Sequence, residues 1–210
     1  MAFTLYNAPQ STCSQRVRFV LNAKKLSFVE IKLDLLAGDQ FKPDYLALNP
    51  NGVVPTLDHA GAIVIDSSVI IEYLDEIAPE PPLLPKDPIA RAQVRGLADI
   101  VACDIHPMNN LGSLRYLKHE LHQEQPAIDA WYHHWVVDGF TALETLVQAG
   151  PYSFGADVTL ADVFLVPQVA NARRLKVPLD AFPKIVGIEA ACLKLSTFDR
   201  ARPENQPDAE

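Results

Sequence analysis

Ala78-Pro79-Glu80-Pro81-Pro82-Leu83-Leu84-Pro85-Lys86-Asp87-Pro88 places five prolines in eleven residues. Proline fixes its own φ, donates no N–H, and disfavours helix in the residue before it. This stretch is therefore neither helix nor central strand, and it reads as a stiff linker over residues 79–87. The pattern of the chain changes across it. Before it, strand and helix spacings alternate; after it, nearly every segment carries helical spacing. The expected fold is α/β plus all-α, with an N-terminal domain over residues 1–80 and an all-helical domain over 88–210.

Upstream of the linker, Phe3 to Tyr6 has the pattern of a short strand. Residues 14–25 follow as a helix, with Val17, Val20, Leu21 and Lys24 on one face. Val29-Glu30-Ile31-Lys32-Leu33 alternates with period two, which predicts a strand with one buried face. Residues 39–47 suit a short, irregular helix. Pro55–Asp58 and Ala62–Ile65 flank His59-Ala60-Gly61 as a hairpin, and a helix from Ser67 to Ala78 closes a β-α-β-α-β-β-α order.

Downstream, the pattern from Ile89 to about Leu117 predicts one long helix, with Pro107 kinking it or ending it and starting another. Residues 126–149 predict a second. Val158-Thr159-Leu160-Ala161-Asp162-Val163 is a sharper signal. Thr159 caps a helix start, Asp162 at N3 returns a hydrogen bond, and Val158 with Val163 is placed for a hydrophobic staple. That helix runs to about Leu175 and another spans roughly 182–196. The polar tail 201–210 reads as an extended arm.

The chain has 210 residues, 26 acidic and 18 basic, for a net charge of −8. That balance lacks the basic footprint of nucleic-acid binding. It still permits a small positive pocket for an anionic ligand. No uninterrupted apolar run exceeds four residues, so no bilayer span and no membrane partner are expected. The first residues carry neither a basic n-region nor an apolar h-region, so a signal peptide is not expected. Cys13, Cys103 and Cys192 are too few and too scattered for a disulfide framework or zinc cluster. A reduced, cytoplasmic chain is expected. His119, His122, His133 and His134 lack metal-site spacing and read as surface, so no metal is expected.

Three features carry chemistry. Ser11-Thr12-Cys13-Ser14-Gln15-Arg16 lies between the first strand and the first helix, where free N–H groups and the positive dipole end stabilise a thiolate. Read alone, the same residues serve equally well as a helix cap. Position 16 is Arg rather than a second cysteine, so dithiol redox chemistry is not expected at Cys13. Asn49-Pro50-Asn51-Gly52-Val53-Val54-Pro55-Thr56-Leu57 runs from a loop into a strand. A cis Val54–Pro55 bond would present the Val54 backbone to an extended peptide by strand addition; an ordinary loop proline is the alternative. Asp66-Ser67-Ser68 opens the third helix, where the Ser67 N–H and hydroxyl suit a carboxylate and Asp66 suits an ammonium. A plain N-cap explains these residues too.

Together the three features fit a short peptide with a central thiol and a carboxylate and amine at one end, the shape of glutathione. Here the chain resembles the zeta-class glutathione transferases. Ser11-Thr12-Cys13-Ser14-Gln15-Arg16-Val17-Arg18 is similar to the zeta serine-cysteine signature, and Asn49-Pro50 with Val54-Pro55-Thr56-Leu57 to the glutathione-site loop. Cys103-Asp104-Ile105-His106-Pro107 with Asn109-Asn110 looks like the kinked helix of the bacterial isomerases. Thr159-Leu160-Ala161-Asp162, Leu165 to Ala172 and Gln206-Pro207-Asp208 extend the likeness along the whole chain. Thr12, Gln15, Asp66 and Leu111-Gly112-Ser113 depart from the usual residues.

The resemblance implies a thioredoxin-like N-terminal domain, an all-helical C-terminal domain, and a homodimer. It implies glutathione as cofactor for cis–trans isomerisation of a small anionic substrate, a maleyl diketo acid, in aromatic or tyrosine breakdown. Ser11 would donate to the thiolate. The helix start at 12–14, with Thr12 or Cys13, would stabilise an enolate. Gln40 would meet the glycyl end of glutathione, and Val54, Pro55, Asp66 and Ser67 the rest of it. His106 and Asn110, four apart on one helix face, would line the cleft. Arg174, with Arg173 second, would hold substrate carboxylate. On residues alone the arginine pair equally compensates a helix dipole, and His106 equally packs as a buried residue. Three other readings stay open: a transferase conjugating or dehalogenating small electrophiles such as α-haloacids, Cys13-based thiol exchange, and a non-catalytic binding protein.

Overall fold

The computed structural model describes residues 3–148 and 150–206. The chain divides into two compact units. One holds the residues up to Pro82 together with the segment from Lys194 onward, and the other holds Leu83–Leu193. The all-helical half expected over 88–210 thus loses its last segment to the first unit.

In the first unit, β1 (Phe3–Asn7), α1 (Thr12–Ala23), β2 (Phe28–Lys32), α2 (Pro43–Leu46), β3 (Thr56–His59), β4 (Ala62–Ile65) and α3 (Ser67–Ile77) follow in the expected order. The sheet order is β2-β1-β3-β4. β2 lies parallel to β1, β3 antiparallel to β1, and β4 antiparallel to β3. The hairpin turn is Ala60-Gly61, both with positive φ, the twist that a tight two-residue hairpin needs. Ahead of α2 a single 3-10 turn covers Asp39–Phe41.

The apolar side chains of this unit converge between the sheet and α1 and α3. Leu5, Val17, Val20, Leu21, Leu57, Ile70, Ile71 and Leu74 are inaccessible to solvent. Strand β2 departs from expectation. It is an edge strand with no buried face, and Val29 and Ile31 are exposed at 62% and 41%. Alternation predicts two faces but cannot say whether anything covers one of them.

The second unit contains α4 (Pro88–Asp99), α5 (His106–Asn109), α6 (Leu111–His119), α7 (Gln125–Leu146), α8 (Leu160–Arg174) and α9 (Pro183–Cys192). The single long helix expected over 89–117 is broken. A π-helical stretch spans Ile100–Ile105, and the His106 N–H reaches back to Val101 O. Pro107 then opens α5, and Asn110 leaves helical geometry at φ −72°, ψ 166°. Proline cannot continue the i→i−4 ladder, so the chain widens before it and stops soon after. The capping box at Thr159 forms as expected, with Asp162 accepting from the Thr159 N–H at 2.8 Å. The linker is not free chain. Leu83 and Leu84 are buried, and Leu83 O accepts from Leu160 N.

The helix expected over 182–196 ends at Cys192, and α10 (Ser196–Ala201) starts separately. It belongs to the first unit, where Phe198 stacks on Phe19 of α1 with ring centroids 3.9 Å apart. Arg18 of α1 donates to Ala201 O from both Nε and Nη2. The tail is no extended arm over its described part, since Pro203–Asn205 forms a 3-10 turn. Residues 207–210, and Ala149 at the expected end of α7, lie outside the described residues.

Candidate active site

Ser11 is the N-cap of α1. Its Oγ accepts the Ser14 N–H at 3.2 Å, and its carbonyl accepts from Gln15 N at 2.9 Å. A hydroxyl has one hydrogen to give besides its lone pairs. Among the described residues no acceptor takes that hydrogen from Ser11. The same cap consumes the Ser14 N–H, so of the three amides at 12–14 expected to face an anion, one is already spent. Thr12 is buried at 7% exposure, and Cys13 is half-buried in the second helical position.

The loop before α1 is pinned by Arg18, which is 1% exposed. Its Nη1 donates to Asn7 Oδ1 at 2.7 Å, and its Nη2 donates to Pro9 O at 3.0 Å. Burial pulls this guanidinium down to about 10, with Glu30 pulling against it. Arg16, equally buried, donates from Nη1 to Cys13 Sγ at 3.6 Å and to Ser67 Oγ at 3.4 Å. Burial lowers it too, opposed by the nearby Cys13 and Asp66. Neither buried arginine is legible as a site residue from spacing, because spacing does not tell which cations the packed chain buries.

Val54–Pro55 is a cis bond, one of the two alternatives that the sequence alone left open. Val53 O is clamped by Tyr45 Oη at 2.6 Å and by Asn49 Nδ2 at 2.9 Å, which holds the following residue in place. Ala8, Leu33, Tyr45 and Val54 pack as one cluster beneath it. Among the described residues no hydrogen bond takes up the Val54 N–H or C=O. Gln40 is buried, with Nε2 on Leu35 O at 3.4 Å and Oε1 without a partner. Its open atom is an acceptor, which suits a peptide N–H at the glycyl end expected there.

Asp66 caps α3 from a left-handed φ of 73°. Its Oδ1 accepts from both the N–H (2.8 Å) and the hydroxyl (2.7 Å) of Ser68. Ser67 is buried, and its Oγ is an acceptor toward Arg16. Both the capping and the ligand readings of this segment are thus built on one geometry. Ser11, Gln40, Val54, Pro55, Asp66 and Ser67 all lie in the first unit. A free backbone pair, an orphaned buried acceptor and a cation-backed helix start fit an extended peptide with a carboxylate at one end.

The second unit corrects two expectations. Asn110 does not share a helix face with His106. It caps α6, with Oδ1 accepting from Ser113 N at 2.9 Å and Nδ2 donating to Pro107 O at 3.3 Å. The four-residue spacing fails because the helix stops between them. Arg173 is held in an ion pair along its side edge. Its Nε and Nη2 grip Glu189, with 2.7 Å from Nη2 to Oε2, and this raises its pKa. Arg174 is exposed and, among the described residues, bonded along one edge, to Asn171 Oδ1. His133 is not simple surface either, since Nε2 meets Leu175 O at 3.0 Å. Among the described residues no group of three or more His, Cys, Asp or Glu could hold a metal, and no helix is long and apolar enough to cross a membrane.

The family described as glutathione S-transferase, N-terminal domain, matches residues 5–82. A maleylpyruvate isomerase from a Ralstonia species is 44% identical over 209 residues, covering 98% of this chain and 99% of the relative. The holo structure of a maleylpyruvate isomerase, a bacterial zeta-class glutathione transferase, superposes with a TM-score of 0.96 at 44% identity over 99% of this chain and all of the other. The chain belongs to the zeta class of the glutathione transferases. This zeta-class chain also matches the maleylacetoacetate isomerase of Methylobacterium extorquens AM1, solved with malonate and glutathione bound. That match has a TM-score of 0.95 at 34% identity over 99% of each chain.

Proposed function

We propose that this zeta-class protein is a glutathione-dependent cis–trans isomerase of a maleyl diketo acid, maleylacetoacetate or maleylpyruvate, in the breakdown of tyrosine and other aromatic compounds. The observation that carries the reading is Ser11. Its lone pair is committed to the helix cap while its hydrogen is uncommitted, in a chain 44% identical to a maleylpyruvate isomerase over nearly its whole length.

Bound glutathione supplies a thiolate nucleophile that adds to the conjugated double bond and leaves again after the resulting single bond has turned. Everything else falls to the protein. Ser11 donates to the sulfur and holds it as the anion. The Val54 N–H and C=O pair with the peptide backbone, and Pro55 fixes the Val54 carbonyl beside the sheet. Gln40 accepts from the glycyl N–H. Ser67 gives its N–H and hydroxyl to the γ-glutamyl carboxylate, with the Arg16 charge behind it, and the free Oδ2 of Asp66 meets the ammonium. Thr12 and Cys13 open the helix whose dipole stabilises oxygen charge developing on the substrate.

His106 lines the substrate side, and Asn110 fixes the break that places it. Arg174 takes a substrate carboxylate. The protein works as a cytoplasmic homodimer.

The test is spectrophotometric isomerisation of maleylacetone and maleylpyruvate, with and without glutathione, by wild type and Ser11→Ala. Turnover that needs catalytic glutathione and collapses in the variant supports the reading. Glutathione binding without isomerisation of either compound overturns it in favour of conjugation. Light scattering on the purified protein tests the dimer.

A further inference from the structure

Asn171 and Arg174 stand one turn apart at the C-terminal end of α8. The Asn171 Oδ1 accepts from Arg174 Nε at 3.2 Å and from Nη2 at 2.6 Å. A guanidinium presents its donors along two usable edges, a side edge of Nε with Nη2 and an end edge of Nη1 with Nη2. Asn171 takes the side edge. Among the described residues nothing takes the Nη1 donors.

The surroundings of this pair are polar and buried. Tyr132 of α7 is 2% exposed and Gln168 of α8 is fully buried, and among the described residues neither the Tyr132 hydroxyl nor either Gln168 amide atom has a hydrogen-bond partner of good geometry. Burial pushes the Tyr132 hydroxyl up to about 12, while the Arg174 charge and the nearby amides of Gln168 and Asn171 pull it back. Tyr132 of α7 thus lies close to Gln168, Asn171 and Arg174 of α8. Arg173 differs in its partner: its side edge is paired with the Glu189 carboxylate, which offsets its charge, whereas Asn171 is neutral.

We infer that Asn171 is a positioning residue for Arg174. By occupying the side edge, it leaves the end edge of the guanidinium for the second carboxylate of a dicarboxylate substrate. This rests on Arg174 being the carboxylate-binding residue. It makes Asn171 a determinant of specificity, favouring substrates that end in a carboxylate over those that end in a methyl ketone.

The experiment compares maleylpyruvate, with two carboxylates, and maleylacetone, with one, at saturating glutathione. Wild type, Asn171→Leu, Arg174→Met and the double variant are assayed as the full-length protein. Asn171→Leu is expected to raise KM for maleylpyruvate about tenfold, with kcat changed less than about twofold, as loss of a charge-assisted hydrogen bond implies. The KM ratio of the two substrates should collapse. The double variant should be no worse than Arg174→Met alone. Asn171→Ser gives the same readout if leucine is not tolerated, and KM for glutathione reports whether the fold is intact.

A full extra loss in the double variant, or an equal rise in KM for both substrates, overturns the positioning role. An Arg174→Met enzyme with wild-type KM for maleylpyruvate overturns instead the assignment of Arg174, so the two failures separate.

Discussion

Arg16 Nη1 lies 3.4 Å from Ser67 Oγ, so a buried cation on α1 donates to the residue that begins α3. The same nitrogen reaches Cys13 Sγ at 3.6 Å. One guanidinium thus backs two helix starts, at both of which an anion is expected. Arg16→Met should weaken glutathione binding about tenfold, the scale of one charge-assisted hydrogen bond. Titration calorimetry reads this directly. Unchanged affinity would remove Ser67 from the glutathione contacts.

Ser11 carries two jobs on one oxygen, capping α1 and donating its hydrogen. Ser11→Ala loses both, and capping alone costs about 1 kcal/mol of stability. Ser11→Thr keeps the cap and the donor. The expected outcome is a loss of kcat of about a hundredfold or more in alanine, with partial recovery in threonine. Equal activity of the alanine variant and wild type would refute the thiolate role.

Arg173 and Arg174 are neighbours with opposite fates. Arg173→Met strands Glu189, which is 5% exposed, and should destabilise the fold by about 2 kcal/mol. It should leave KM for the dicarboxylate within about twofold. Urea unfolding and steady-state kinetics on the same preparation check both halves, and a large KM effect would return Arg173 to the site.

Gly139 of α7 has no room for a side chain. An added Cβ would lie 2.4 Å from Cγ1 and Cδ1 of Ile105, in the π-helical stretch before α5. Gly139→Ala should cost about 1–3 kcal/mol by overpacking, and Gly139→Ala with Ile105→Val should recover part of it. Thermal melts of the two variants decide the matter.

Asp162 is fully buried, with Oδ1 accepting from Ser153 N at 2.7 Å and Oδ2 from Thr159 N at 2.8 Å. Burial nevertheless raises its pKa above the usual carboxylate value, the hydrogen bonds only partly opposing it. The folded state therefore holds this proton more tightly than the unfolded chain does. The stability it contributes is complete below about pH 4, the unfolded value, and is lost as pH rises through the folded one. Urea unfolding across about pH 4–7 should show a slope that Asp162→Asn removes. Wild type and variant running parallel would show the pKa to be ordinary.

Much of the first unit is legible in local sequence. The β-α-β-α-β-β-α order and the hairpin at Ala60-Gly61 rest on local rules, as does the Thr159–Asp162 box of the second unit. In each, a residue's φ preference or a three-residue reach decides the outcome. The serine-cysteine loop and the Val54–Pro55 segment are legible for the same reason, because both are contiguous in the chain. The break at Asn110 is half-legible. Pro107 announces that something happens there, but the choice between a kink and a stop depends on what the next turn packs against.

Local patterns settle the element order of the first unit, the change to helices after the proline linker, and the residues that open α1, α3 and α8. Which charges are buried and which are free is set only when the chain packs. Arg16 and Arg18 leave α1 on roughly opposite sides, yet both are buried. Arg173 and Arg174 are adjacent and identical, yet one is paired with Glu189 and the other bonded to Asn171. Adjacent side chains on a helix diverge by about 100°, so what each one meets is set by residues distant in the chain, and no local pattern encodes that.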